Sequence, residues 1–257
     1  MELFYREYGV GPSIIILHGL LGISDNWVGT ARKLAKEGFR VLIPDQRNHG
    51  QSPRSQVFNY YALTDDVAEF IETKGVVKPV IIGHSMGGKV AMRYTLENPA
   101  SVSRLIIVDT SLRTYIRFNY HIQLIDAMLS VDFSRSRNRR EVEQALSEKI
   151  RDDRMVQFLM KNLYWKEMGL LTWRPDLKSI SDHIEDLYDG VFYSARFEKP
   201  ALFIRGGKSD YILEEDFAAI YQSFPLARIL TIENATHWVQ ADEPGIFFQM
   251  LMEFIKS

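Results

Sequence analysis

Ser85 lies in the run Gly83-His84-Ser85-Met86-Gly87-Gly88, directly after the apolar stretch Pro79-Val80-Ile81-Ile82 and before a helical pattern from Lys89 to Leu96. A serine flanked by glycines two positions away on either side, at a strand-to-helix turn, has the pattern of a nucleophile elbow. The chemistry explains the spacing. The serine backbone is forced through a sharp turn, and the small residues at 83 and 87 let strand and helix approach. The hydroxyl is then presented at the carboxyl end of the sheet, beside a helix start that favours negative charge.

A serine hydroxyl becomes a useful nucleophile only when a base removes its proton. Around such an elbow the chain order is serine, then acid, then histidine. Of six histidines, His237 in Asn234-Ala235-Thr236-His237-Trp238 follows the last predicted strand and precedes the terminal helix. It is the expected base. His84 adjoins the nucleophile and is expected to shape the elbow, while His121 and His183 are expected to be structural or exposed. Two carboxylates compete for the acid. Asp210 follows the strand Ala201 to Ile204 in the loop Arg205-Gly206-Gly207-Lys208-Ser209-Asp210-Tyr211 and is favoured. Asp109, at the end of the strand Leu105 to Val108, is the alternative. Either would hold the imidazole tautomer and stabilise the imidazolium. Asp45 is expected to order the loop after its own strand.

An acyl-transfer site also needs two backbone N–H groups aimed at the developing oxyanion. Met86, immediately after the nucleophile, is expected to supply one. Leu20, in the loop His18-Gly19-Leu20-Leu21-Gly22, is expected to supply the other. The chemistry implied is two-step transfer through an acyl-enzyme, with a small-molecule acyl ester as substrate.

These residues need a scaffold that brings distant loops to one edge. Short apolar runs predict buried strands at Ser13–Leu17, Phe39–Ile43, Pro79–Ile82, Leu105–Val108, Ala201–Ile204 and Arg228–Ile232, with an edge strand between Glu2 and Tyr8. Amphipathic patterns at Asn26–Lys36, Leu63–Thr73, Lys89–Leu96 and Glu243–Ile255 predict the intervening helices. The alternation gives an α/β fold with a mostly parallel central sheet flanked by helices. It breaks between about Leu112 and Arg196, a mostly helical stretch rich in aromatics and methionines, including Tyr120, Met128, Phe158, Trp173 and Tyr188. This stretch is expected to be an inserted helical cap over 112–196. The core is then 1–111 and 197–257. Most of the cap's aromatics should pack its interior and a few should line a pocket.

The chain of 257 residues is 46% apolar, enough for one such domain with a large insertion. A net charge of −2 argues against binding nucleic-acid backbone. No cysteine is present, which excludes disulfides, thiolate metal sites and a cysteine nucleophile. No metal-binding motif is found, and no metal is expected. The N-terminal residues Met1 to Tyr8 are interrupted by charges, and no apolar run reaches about 18 residues. A cytoplasmic protein without a membrane span is expected, as a monomer or homodimer. Arg135-Ser136-Arg137-Asn138-Arg139-Arg140 could attract a phosphorylated acyl carrier, but a solvated cap loop is the stronger expectation.

Taken together, Leu17-His18-Gly19-Leu20-Leu21-Gly22, Asp25-Asn26-Trp27, Asp45-Gln46-Arg47-Asn48-His49-Gly50-Gln51-Ser52-Pro53 and the elbow resemble the α/β-hydrolase superfamily, and within it the YbfF-like esterases. The Arg-Asn-His-Gly loop is the more specific part of the resemblance, which runs from about residue 12 to the C-terminus and is weakest in the cap. It implies the α/β-hydrolase fold and hydrolysis of acyl esters or thioesters without metal or cofactor. Not every member of that subgroup keeps an acid at the Asp210 position. The resemblance leaves two other functions open on the same fold: a lyase of the menaquinone-pathway synthase type, and a ligand sensor without turnover. Dehalogenases and epoxide hydrolases place an aspartate where this chain has Ser85.

Overall fold

The apolar runs form strands because their side chains are buried on both faces of one sheet. The computed structural model describes residues 1–116, 119–136, 138–167 and 169–257. Strands β1 (Tyr5–Tyr8), β2 (Ser13–Leu17), β3 (Arg40–Pro44), β4 (Val80–His84) and β5 (Arg104–Val108) come from the first part of the chain. Strands β8 (Ala201–Gly206) and β9 (Ala227–Ile232) follow after a long interval. The sheet order is β1-β3-β2-β4-β5-β8-β9. Only β1 runs antiparallel to its neighbour.

Alternate side chains enter two separate cores. Ile15, Leu17 and Ile81 face one; Ile14, Ile16 and Ile82 face the other. The first is covered by α2 (Tyr60–Thr73) and α3 (Met86–Glu97), through Leu63, Val67, Val90 and Ala91. The second is covered by α1 (Val28–Lys36), through Ala31 and Leu34, and by the terminal helix α10 (Pro244–Lys256), through Phe247 and Leu251. The carboxyl ends of the parallel strands therefore share one edge, where a sheet of this type binds ligands.

Between β5 and β8 lie helices α4 (Asn119–Leu129), α5 (Arg139–Ser147), α6 (Asp153–Met160) and α7 (Leu177–Asp182). An antiparallel hairpin of β6 (Leu163–Glu167) and β7 (Leu170–Trp173) interrupts them. The sequence pattern reads as helix here, because strands this short carry too little periodicity to oppose it. Phe118 and Met168, among the aromatics and methionines of this stretch, lie outside the described residues, as does Arg137 of the basic run. The helices α8 (Phe217–Ser223) and α9 (Val239–Asp242) complete the chain.

The two segments that join this insertion to the sheet are paired with each other. Tyr115 N donates to Tyr188 O at 2.8 Å, and Val191 N to Leu112 O at 2.7 Å. Lys89 on α3 fastens both. Its buried ammonium donates to Arg113 O at 2.7 Å and to Asp189 O. Burial lowers its pKa to about 7.

A second internal tie joins the loop after β3 to α2. Arg47 donates to Asp66 through Nε at 2.5 Å and Nη2 at 2.8 Å, with both side chains buried. Removing one member of such a pair strands the other charge in a low-dielectric interior. Asp66→Ala is therefore expected to cost about 3–5 kcal/mol of unfolding free energy. The combined replacement Arg47→Met with Asp66→Leu is expected to cost clearly less. Urea denaturation of the three proteins checks both.

Candidate active site

The elbow forms as its spacing requires. Ser85 sits between β4 and α3 with φ 53° and ψ −121°, a left-handed backbone in a residue that is not glycine. A Cβ on Gly83 would collide with the Gly87 backbone, and one on Gly87 would stand 2.6 Å from His18 O. Glycine at both positions is thus a packing necessity. Ser85 N donates to Val108 O at 3.1 Å, which holds the turn against β5.

Ser85 and His237 line the same cavity of about 280 Å³. His237 Nδ1 lies 2.8 Å from Asp109 Oδ2. Asp109 is fully buried, and its carboxylate is further held by Gly206 N at 2.9 Å and by the Ser209 hydroxyl. It also takes a left-handed backbone, φ 50°, which lets it turn off the end of β5 toward the histidine. The carboxylate that meets His237 is therefore Asp109, and the preference for Asp210 is corrected. Asp210 is exposed at the cavity rim, and its carbonyl accepts from Arg113 at 2.6 Å. The physical reason is the turn after β8. It directs the Gly206 amide and Ser209 hydroxyl at Asp109 and carries Asp210 past the imidazole.

The loop expected to bear Leu20 is fixed from several sides. Leu21, φ 58°, donates its N–H to His49 Nε2 at 3.0 Å and accepts from Asn162 Nδ2 at 2.8 Å. His18 Nε2 accepts from Gln46 N at 2.9 Å. Both Leu20 and Gly19 reach the cavity. Met86 N is the first amide of α3, one of the four at a helix start without a partner inside the helix. His49 and Asn162 are contributions the residue pattern did not single out. Asn162 could not be found by motif, because it comes from the insertion, 141 residues beyond Leu21.

Asp45 accepts from Ser24 N at 2.6 Å and Gln51 N at 2.9 Å, ordering its loop. His84, expected to shape the elbow, reaches across to the His237 loop, with its Nε2 2.9 Å from His237 O. His121 is not merely peripheral, since it lines the cavity. His183 lies 2.9 Å from Ser179 O through Nδ1, away from the site. Of the cap aromatics, Tyr120 and Phe158 reach the cavity wall. None of Arg135, Ser136, Asn138, Arg139 and Arg140 does. Arg139 instead donates to Met160 O and Leu163 O. Among the described residues no group of three His, Asp or Glu side chains could hold a metal ion. No helix among them is long and apolar enough to cross a membrane.

Burial keeps four of these imidazoles neutral. Desolvation lowers His18 and His121 to about 4 and His49 and His84 to about 3. His18 and His49 each accept a backbone N–H at Nε2, so protonation would break a loop contact as well. In the unfolded chain the same groups take up protons near 6.5. The unfolded state thus binds more protons below that pH, and stability falls as pH drops from about 6.5 toward 3–4. Each histidine contributes a slope of at most about 1.4 kcal/mol per pH unit. Urea midpoints measured from pH 7 to 4 are expected to fall, and less steeply for His49→Gln.

The chain is similar to known proteins in sequence and in fold. A family described as alpha/beta hydrolase fold matches residues 12–149. The chain is 37% identical over 253 residues to the sn-1-specific diacylglycerol lipase ABHD11 of Danio rerio, covering 96% of this chain and 80% of that one. It is 30% identical over 244 residues to esterase YbfF of Escherichia coli, covering 95% and 93%. A solved structure of a marine microorganism esterase superposes with a TM-score of 0.95 at 39% identity, covering 98% of this chain and 99% of that one.

Proposed function

The chain belongs to the alpha/beta hydrolase fold family and is a carboxylic ester hydrolase, and on that premise we propose that it works through Ser85, His237 and Asp109 by way of an acyl-enzyme. The observation that carries the proposal is the 2.8 Å contact of His237 Nδ1 with buried Asp109, in a cavity that also exposes Ser85. With Nδ1–H donating to the carboxylate, Nε2 keeps its lone pair and serves as the base.

Ser85 Oγ gives its proton to His237 Nε2 as it bonds to the acyl carbon. The carbonyl oxygen becomes an oxyanion, held by the N–H groups of Leu20 and Met86. The imidazolium, stabilised by Asp109, protonates the leaving alcohol as the carbon–oxygen bond breaks. Water then attacks the acyl-enzyme with His237 again as base, releasing the acid and restoring the Ser85 hydroxyl. A thioester would follow the same steps with a thiol leaving. The residues 112–196 act as a cap, since Tyr120, Leu124, Met155 and Phe158 supply part of the cavity wall.

Ser85→Ala is expected to lower kcat/KM on p-nitrophenyl butyrate about 10³-fold or more while the fold persists. Asp109→Asn is expected to lose about 10³–10⁴-fold, because the amide no longer fixes the reactive tautomer. Asp210→Asn should stay within about threefold of the parent. A large loss in Asp210→Asn with a small one in Asp109→Asn would reverse the assignment. For His49→Phe, which removes the acceptor that holds Leu21 beside the Leu20 donor, kcat is expected to fall about tenfold with little change in KM, since the Leu20 amide acts in the transition state.

A further inference from the structure

We propose that the cavity at Ser85 is the inner half of a two-chamber substrate site, and that Phe158 and Trp238 form the gate through which the longer arm of an ester reaches the outer half. The proposal rests on the ester-hydrolase reading above and adds what the site selects.

The inner cavity is small, at about 280 Å³. A cavity of about 150 Å³ takes up benzene, so this one accommodates roughly ten to twelve heavy atoms. That suffices for an ester with two short arms. A deeper recess beside Ser85, Met86 and Lys89 adds only about 30 Å³, no more than room for a water. A long arm cannot be housed in that direction.

The opposite side differs. A second chamber of about 630 Å³ lies against the first, and Asn26, Met155, Phe158, Trp238 and Gln240 line both. The wall between the chambers is therefore one side chain thick. Its centre is the aromatic pair: Phe158 and Trp238 meet edge to face, 4.4 Å between centroids and 62° between planes. Neither ring is fully buried. Phe158 comes from α6 of the insertion, while Trp238 directly follows His237. Opening the pair would take rotation of two half-buried side chains.

Beyond the gate, Pro244 and Phe248 give the outer chamber an apolar stretch, and the exposed Lys33, Asp152, Arg154 and Lys161 also line it. The Lys33 ammonium lies 5.4 Å from the Phe248 ring centroid. An aliphatic arm would thus leave the gate along apolar walls and end at a solvated rim. The substrate class is an amphipathic ester with one arm too long for the inner cavity.

Two ester series decide the matter on the full chain: p-nitrophenyl esters from acetate to dodecanoate, and acetates of alcohols over the same range. Gly29 on α1 lines only the outer chamber, and a Cβ placed there meets nothing within 4 Å. Gly29→Trp fills that chamber from outside. It is expected to lower the long-to-short ratio of kcat/KM at least about fivefold in one series, and Phe158→Ala to raise the same ratio at least about fivefold. The series that responds identifies the arm. Thr30→Trp repeats the block from the next position in case Gly29→Trp folds poorly. Unchanged ratios in both series for the gate and block variants would overturn the two-chamber site while leaving ester hydrolysis intact. A parent protein that cleaves no ester of either series would instead overturn the ester-hydrolase reading, and this proposal with it.

Discussion

The carboxyl edge of the sheet depends on Ser85 holding a left-handed backbone. A conformation of this kind costs of order 1–3 kcal/mol and persists only where its surroundings over-determine it. Here the surroundings are glycine at 83 and 87, a hydrogen bond from Ser85 N to β5, and the start of α3 directly behind. Because strand and helix touch, the His18–Gly22 loop can cross over Gly87 and reach the serine. A Cβ on Gly19 would stand 3.2 Å from that of Ser85. Ser85, the first amide of α3 and the facing loop are thus placed by one packing event.

Around this centre each loop supports its neighbour through buried polar contacts. His49, from the loop after β3, holds Leu21; Asn162, from the insertion, holds the other side of the same residue. His18 holds Gln46 in return. The Arg47–Asp66 pair anchors the whole loop to α2. These contacts tie neighbouring loops together, although Gln46 Oε1 and Asn162 Oδ1 accept no hydrogen bond among the described residues. They also explain why the Arg-Asn-His-Gly loop is a specific feature of the sequence although none of Arg47, Asn48 and His49 lines the cavity.

Much of this was legible in the amino-acid order. The apolar runs placed the sheet strands to within a few residues, because a strand buried on both faces has no polar interruption. The elbow marked Ser85, and chain order marked His237. The carboxylate partner of His237 was not legible. Asp109 and Asp210 follow adjacent strands, β5 and β8, and only the loop geometry decides which carboxylate meets the ring. That geometry rests on a left-handed aspartate and on a Ser209 hydroxyl, neither of which has a signature in residue spacing. The hairpin β6–β7 was hidden for a different reason: four or five residues with exposed Trp165 and Leu170 show no alternation to read. Lys89 was equally silent, since a lysine in a helical pattern reads as solvent-facing and this one is buried to fasten both ends of the insertion.

We propose that Ser85 is an activated nucleophile whose reactivity depends on Asp109 through His237. Covalent labelling with a fluorophosphonate tests this, followed by mass-spectrometric location of the adduct and by labelling rates in Asp109→Asn and Asp210→Asn. One adduct on Ser85 is expected, forming at the parent rate in Asp210→Asn and far more slowly in Asp109→Asn. An adduct on another residue, no adduct at all, or a rate indifferent to Asp109 would contradict it.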